Sequence, residues 1–228
     1  MINSALCGNI EKNMVMGEGV VMNEQLLKMN GLSLDILDAL SFESHLGIPL
    51  KKNLHYFDKT LLIQELYEMT EWLDAQELLA EIAIDYRVKS MDSILLKYDR
   101  YYPDHQTRKV FNDILGFRAF CDNYDDVRSF ESEQFRVADM SMGKADDDGY
   151  RGVHVYYQKS GRHYPIEIQF NTLFDRQLNN WLHDYLYKKD LPNPVGRIMR
   201  NKYESGLIRD ENNFKEVLED VLSDCEGP

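Results

Sequence analysis

RGVHVYYQKSGRHYPIEIQFNT, residues 151–172, is the stretch that decides the fold. Val153, Val155 and Tyr157 alternate with His154 and Tyr156, and Ile166, Ile168 and Phe170 alternate with Glu167, Gln169 and Asn171. Period-two alternation is the signature of a strand with one face in a core. Lys159-Ser160-Gly161-Arg162 lies between the two runs and predicts a hairpin. The apolar rows belong to the core, and the polar rows form a stripe that is either the floor of a site or a solvent-facing sheet.

Working outward, Phe174, Leu178, Trp181, Leu182, Tyr185 and Leu186 recur at helical spacing, which predicts a helix packed on that sheet. Pro192 and Pro194 are expected to end it, and a last helix is expected over Phe214 to Leu222. Upstream, IAIDYRVK (82–89) and FRAFCD (117–122) read as strands, with a helix over 90–99. Residues 23–46 read as helix or helix-turn-helix. Leu61, Leu62, Leu66, Met69, Leu73, Leu78 and Leu79 make 58–80 an amphipathic helix or pair. The predicted class is α+β, a mixed β-sheet flanked by N- and C-terminal helices. The expected organisation is a disordered leader over 1–22, with Met22 a candidate start, and one domain over 23–228. Within that domain, 23–80 is a helical lead-in, 81–190 the catalytic core, and 191–228 C-terminal helices.

Hydrophobic residues make up 43% of the 228, enough for a core, and the net charge is −13. A uniformly acidic surface repels ATP, nucleic acid and anionic membranes, so any phosphate-handling site has to be a local basic island. Cys7, Cys121 and Cys225 are far apart and form no C-x-x-C, which argues against a disulfide framework or a zinc site and for a reducing cytoplasm. No apolar run approaches the roughly 18 residues that span a bilayer, so no membrane is expected.

Four constellations bear on chemistry. In Arg87-x-Lys89-x3-Ser93-x3-Lys97, two cations share a strand face, and Ser93 and Lys97 share a helix face. Together they suit a polyphosphate, or a solvated basic face. In Asp113-Ile114-Leu115-Gly116-Phe117-Arg118, an acid precedes an apolar strand, which suits either Mg²⁺ or a turn. The polar stripe of Glu167, Gln169 and His154 is the third. The fourth, Gly149-Tyr150-Arg151-Gly152-Val153-His154, offers a ring that either stacks on a base or packs on the sheet.

Taken in order, R-x-K-x3-S-x3-K, D-I-L-G-x-R, G-Y-R-x-x-H and E-I-Q-x-x-T resemble the RelA/SpoT synthetase family, and specifically the small alarmone synthetases, over about residues 85–189. The resemblance implies a nucleotidyltransferase-like fold and transfer of the β,γ-diphosphate of ATP to a ribose 3′-hydroxyl, with AMP leaving. It implies Arg87, Lys89, Ser93 and Lys97 for ATP, and Asp113 and Glu167 as catalytic carboxylates that hold Mg²⁺. It implies Tyr150, Lys144, His154 and Gln169 on the acceptor side. His183-Asp184 is a lone pair without the other ligands of a metal phosphohydrolase. Three departures stand out: the stretch after Asp125-Asp126-Val127 is short, Arg-x-Lys-Asp reads Arg136-Val137-Ala138-Asp139, and the Arg of E-I-Q-x-R-T is Asn171. They weaken GDP or GTP as acceptor. The chain looks most like the toxic members that pyrophosphorylate the tRNA CCA end; the alternative is a small alarmone synthetase making (p)ppGpp or (p)ppApp from ATP and a free nucleotide, with GDP/GTP the alternative acceptor. Lys51, Lys52 and Arg136 are then expected to meet tRNA, with Arg197, Arg200, Lys202 and Arg209 as further candidates. A neutralising antitoxin is the expected partner, and Leu61, Leu62 and Leu66 a candidate docking face.

Overall fold

A computed structural model describes residues 24–130, 132–189 and 191–225. The leader over 1–22 and the question of Met22 lie outside the described residues. The chain divides into two compact units. The first holds the described residues up to Ala119 with Asp125–Val137 and His154–Gln169, and the second holds Phe120–Tyr124, Ala138–Val153 and the described residues from Phe170 on.

In the first unit, α1 (residues 24–29) and α2 (Leu34–Ala39) bury Leu26, Leu27, Leu37 and Leu40. Ser33 caps α2 by accepting from the Ile36 N–H. Helix α3 (Lys59–Asp74) opens on Asp58, whose carboxylate accepts from the Leu61 N–H. Its buried row is Leu62, Leu66, Met69 and Leu73, spaced as a helix face requires. Each such side chain contributes about 1.5–3 kcal/mol by leaving water. Leu61 lies on the other side, 56% exposed, so the expected docking face of Leu61, Leu62 and Leu66 does not exist as one surface. Helix α4 (Glu77–Glu81) completes the lead-in.

The sheet has the order β1-β2-β5-β4-β3, from β1 (Tyr86–Val88), β2 (Leu115–Phe120), β3 (Phe135–Asp139), β4 (Val153–Tyr157) and β5 (Ile166–Asn171). Strands β1 and β2 are antiparallel, with Arg87 opposite Gly116. Gly116 lies beside Glu167, and the Cys121 N–H donates to the Asn171 carbonyl, so β2 and β5 run in one direction and the sheet is mixed. The predicted α+β sheet with flanking helices is the one observed. Helices α5 (Met91–Tyr101), α6 (Thr107–Val110) and α7 (Tyr124–Arg128) fill the β1–β2 and β2–β3 connections.

Three local expectations change. Residues 82–85 are not strand, and only 86–88 pair with β2. The β4–β5 connection is longer than a tight turn. Its residues bind the 42–50 segment through Ser44 N–H to Arg162 O (2.8 Å) and Tyr164 N–H to Phe42 O (3.0 Å). Finally, Pro192 and Pro194 do not simply end a helix. After α8 (Leu173–Tyr185) and a 3-10 turn (Tyr187–Lys189), they open α9 (Asn193–Glu204), where a missing N–H costs nothing. With α10 (Glu211–Cys225), these helices build the second unit's core around Leu182, Met199, Tyr203 and Phe214. Backbones touch there. A Cβ on Gly196 would lie 2.0 Å from the Asp148 carbonyl oxygen, and Gly149 takes φ +86°.

Candidate active site

The cation motif folds around an acid. Lys89, just past β1, and Lys97, on α5, both reach Asp113 at the entry to β2. Lys89 Nζ is 2.8 Å from Oδ2 and Lys97 Nζ 2.9 Å from Oδ1. Lys89 is 7% exposed; burial pushes its ammonium below its ordinary pKa, and Asp113 partly restores it. Two ammonium groups on one carboxylate leave a net positive island in an acidic chain. Ser93, expected beside them, instead meets the Ser90 hydroxyl at 3.0 Å. Arg87 is exposed. Because Arg87 faces Gly116 across the ladder, and Arg118 stands two residues beyond Gly116, both guanidinium groups share one sheet face. Gly116 leaves a gap between them. Arg118 was missed as a site residue; the alternation of β2 would have placed it.

The same face carries Glu167, whose Oε2 lies 3.5 Å from where a Gly116 Cβ would be. The polar stripe is not solvent-facing: Glu167 is 6% exposed and Asn171 2%. Glu167 Oε1 meets His154 Nδ1 at 2.9 Å, Oε2 accepts from Gln169 Nε2 at 2.6 Å, and the Tyr156 hydroxyl lies nearby, 3.5 Å from His154 Nδ1. Burial pushes the Glu167 carboxyl up, but the His154, Gln169 and Tyr156 side chains outweigh it and hold the group below its ordinary value. Burial and the Glu167 charge push the Tyr156 phenol well above its usual range, so Tyr156 stays a donor. Its role here was missed, since the alternation showed only that it lies on the polar face. Arg136 lies over the Tyr156 ring, 4.1 Å from the centroid.

Among the described residues no cluster of three or more His, Cys, Asp or Glu gathers. Asp113 and Glu167 are hard oxygen donors, and two carboxylates completed by substrate phosphates and water suit Mg²⁺. In this structure both Asp113 oxygens are occupied by the lysines, so only the chemistry of the two carboxylates, oxygen donors of the kind Mg²⁺ takes, speaks for that ion.

In the second unit, Tyr150 is half-buried, with Lys144 Nζ 5.1 Å from its ring centroid. Lys144 also pairs with Asp148 at 2.5 Å, and Asp148 accepts from the Tyr150 N–H at 3.1 Å. Arg151 holds Asp147 below its ordinary pKa through bonds of 2.7 and 3.0 Å. The Arg151 carbonyl accepts from Asn171 Nδ2 (2.8 Å) and Asn179 Nδ2 (2.7 Å). Arg200 is not a surface cation. It is fully buried, donating to Gly149 O (2.8 Å), Asp175 Oδ1 (2.6 Å) and Asn179 Oδ1 (3.1 Å). Enclosed and paired in this way, Arg200 offers no surface cation to RNA, contrary to the expectation from the sequence. Lys51 and Lys52 are exposed in the first unit, Lys52 with its ammonium 5.2 Å from the Tyr56 ring centroid.

Residues 86–191 match the family model described as a region found in RelA / SpoT proteins. That stretch holds all five strands, both carboxylates and both island lysines. No curated protein is a significant match. Among solved structures, the chain is similar to small alarmone synthetase 1 of Bacillus subtilis bound to its product pppGpp. Identity is 24%, over 72% of this chain and 94% of that one, with a TM-score of 0.41. It is also similar to the same synthetase bound to AMPCPP, with 23% identity over 70% and 93% and a TM-score of 0.35. Small alarmone synthetase 2 of B. subtilis matches with 20% identity over 73% and 97% and a TM-score of 0.40. No described helix is long and apolar enough to cross a membrane.

Proposed function

We propose that the chain is an ATP-dependent pyrophosphokinase that transfers the β,γ-diphosphate of ATP to the 3′-hydroxyl of the tRNA CCA end. The observation that carries this reading is the ionised Glu167, hydrogen-bonded to His154 and Gln169, on the sheet face that also presents Arg87 and Arg118. Phosphoryl-type transfer asks for positioning and charge neutralisation, which cations and a carboxylate supply. Arg87, Lys89, Ser93 and Lys97 are assigned to ATP. Asp113 and Glu167 would hold Mg²⁺, which neutralises phosphate charge when bound. Glu167 is also assigned to accept the acceptor's hydroxyl proton. His154 and Gln169 hold that carboxylate, and Tyr150 and Lys144 are assigned to the acceptor nucleotide.

The choice of tRNA over a free nucleotide is supported by Ala138 and Asn171, neither of which offers a cation to 5′-phosphates. Asn171 is 2% exposed and bonds a backbone carbonyl. Exposed Lys51, Lys52 and Arg136 suit RNA phosphates. Blocking the CCA end stops aminoacylation in the cytoplasm, and a neutralising antitoxin protein is the partner this chemistry calls for.

The test offers γ-³²P ATP with deacylated tRNA, GDP, GTP and AMP side by side. Label is expected on tRNA. Label on GDP, GTP or AMP with tRNA untouched would make the chain a small alarmone synthetase of guanosine or adenosine nucleotides instead.

A further inference from the structure

The first unit contains a cavity of about 100 Å³ lined by Arg108, Lys109, Arg136, Tyr156 and Gln158, with Glu133 also on its wall. That is room for several waters or one phosphate group. Three cations stand against one carboxylate. Among the described residues, no carboxylate is ion-paired with Arg108, Lys109 or Arg136, and the Arg108 Nε instead donates to the Gln106 amide at 3.1 Å. A chain of net charge −13 that gathers three such cations at one concavity has built a local anion site.

Two further contacts place this cavity. The Tyr156 ring lies under Arg136, and its hydroxyl stands 3.5 Å from His154 Nδ1, the atom that meets Glu167, so Tyr156 connects the cavity wall to the surroundings of the candidate base. On the other side, the Thr107 N–H donates to Lys52 O (3.0 Å) and the Arg108 N–H to Leu50 O (2.8 Å). That pairing lays Lys51 and Lys52 alongside Arg108. Cations from three segments, Lys51 and Lys52, Arg108 and Lys109, and Arg136, therefore gather on this part of the first unit.

We propose that this cavity holds a backbone phosphodiester of the RNA acceptor strand, on the 5′ side of the nucleotide whose 3′-hydroxyl is modified. The proposal rests on the tRNA-directed reading above and adds Arg108 and Lys109 to it. Both are specificity residues that act away from ATP.

The test uses the full chain, ATP, and an RNA minihelix ending in CCA. The last few phosphodiesters are replaced one at a time by an uncharged methylphosphonate. For the wild type, kcat/KM is expected to fall about tenfold at one linkage, the size of one charge-assisted hydrogen bond. In the Arg108→Gln/Lys109→Gln double variant, the same replacement should cost little more, because the partner is already gone. The KM for ATP should be unchanged in the variant. Losses that simply multiply, or no sensitive linkage at all, would overturn the cavity's role while leaving tRNA modification standing. A wild-type enzyme that modifies free nucleotides and no RNA would overturn both.

Discussion

Glu167 shows how one side chain sets the behaviour of a site. Its carboxylate is almost fully buried, a position that favours the neutral form, yet the hydrogen bonds from His154 and Gln169 help hold it ionised. Glu167→Gln keeps the size and removes the charge, so transfer activity is expected to drop by about 10²–10⁴-fold with the far-ultraviolet circular dichroism unchanged. Near-wild-type turnover would remove Glu167 from the mechanism. The same residue leaves a mark on stability. Its folded pKa lies below the ordinary 4.5, so as pH falls past that value the unfolded chain takes up the proton first. The stabilisation from ionised Glu167 is complete above that window and is lost as pH drops through the folded value. Urea midpoints between about pH 5 and pH 3 should therefore fall more steeply for the wild type than for Glu167→Gln. Equal slopes would mean that the hydrogen bonds around Glu167 do not favour the charged form.

At the scale of elements, the most consequential contact is the one between α9 and the 149–151 segment. Arg200 reaches back from α9 to the Gly149 carbonyl while pairing with Asp175 and Asn179 on α8. Asn179 and Asn171 close on the Arg151 carbonyl. The backbone on both sides of Tyr150 is thereby fixed. Removing one partner of a buried ion pair strands the other, so Arg200→Ala is expected to cost about 3–5 kcal/mol in chemical denaturation. Arg200→Met/Asp175→Asn should recover part of that loss by removing both charges. A loss under about 1 kcal/mol for Arg200→Ala would place Arg200 among ordinary surface cations, which are worth no more than that. None of this was legible beforehand. Pro192 and Pro194 read as a stop signal, and a charged residue at position 200 hides the apolar face of α9. By contrast, β4, β5, α3 and α8 were legible because their alternation or helical spacing is unbroken over several residues.

For the whole molecule, charge is the governing quantity. A chain at −13 repels RNA on average, so on the proposed tRNA-directed reading capture would depend on the cations of the first unit and should be strongly salt-dependent. Lys51→Glu/Lys52→Glu is expected to raise the KM for tRNA. It should also flatten the slope of log(kcat/KM) against log salt by about 0.7–0.9 for each phosphate no longer neutralised, and the KM for ATP should stay the same. An unchanged slope would take these lysines off the RNA path. The sequence by itself determined the α+β class, the polar stripe of the hairpin, and the cation and carboxylate motifs of the site. Those features are local: side-chain period and short spacing are set by backbone geometry within a few residues. Only the tertiary structure decided that Lys89 and Lys97 close on Asp113, that Arg118 joins Arg87 across Gly116, and that Arg200 is interior. It also laid Lys51 and Lys52 beside Arg108. Those outcomes bring together residues distant in the chain. Pairing between strands and packing between helices select such partners, and composition and periodicity carry no record of them.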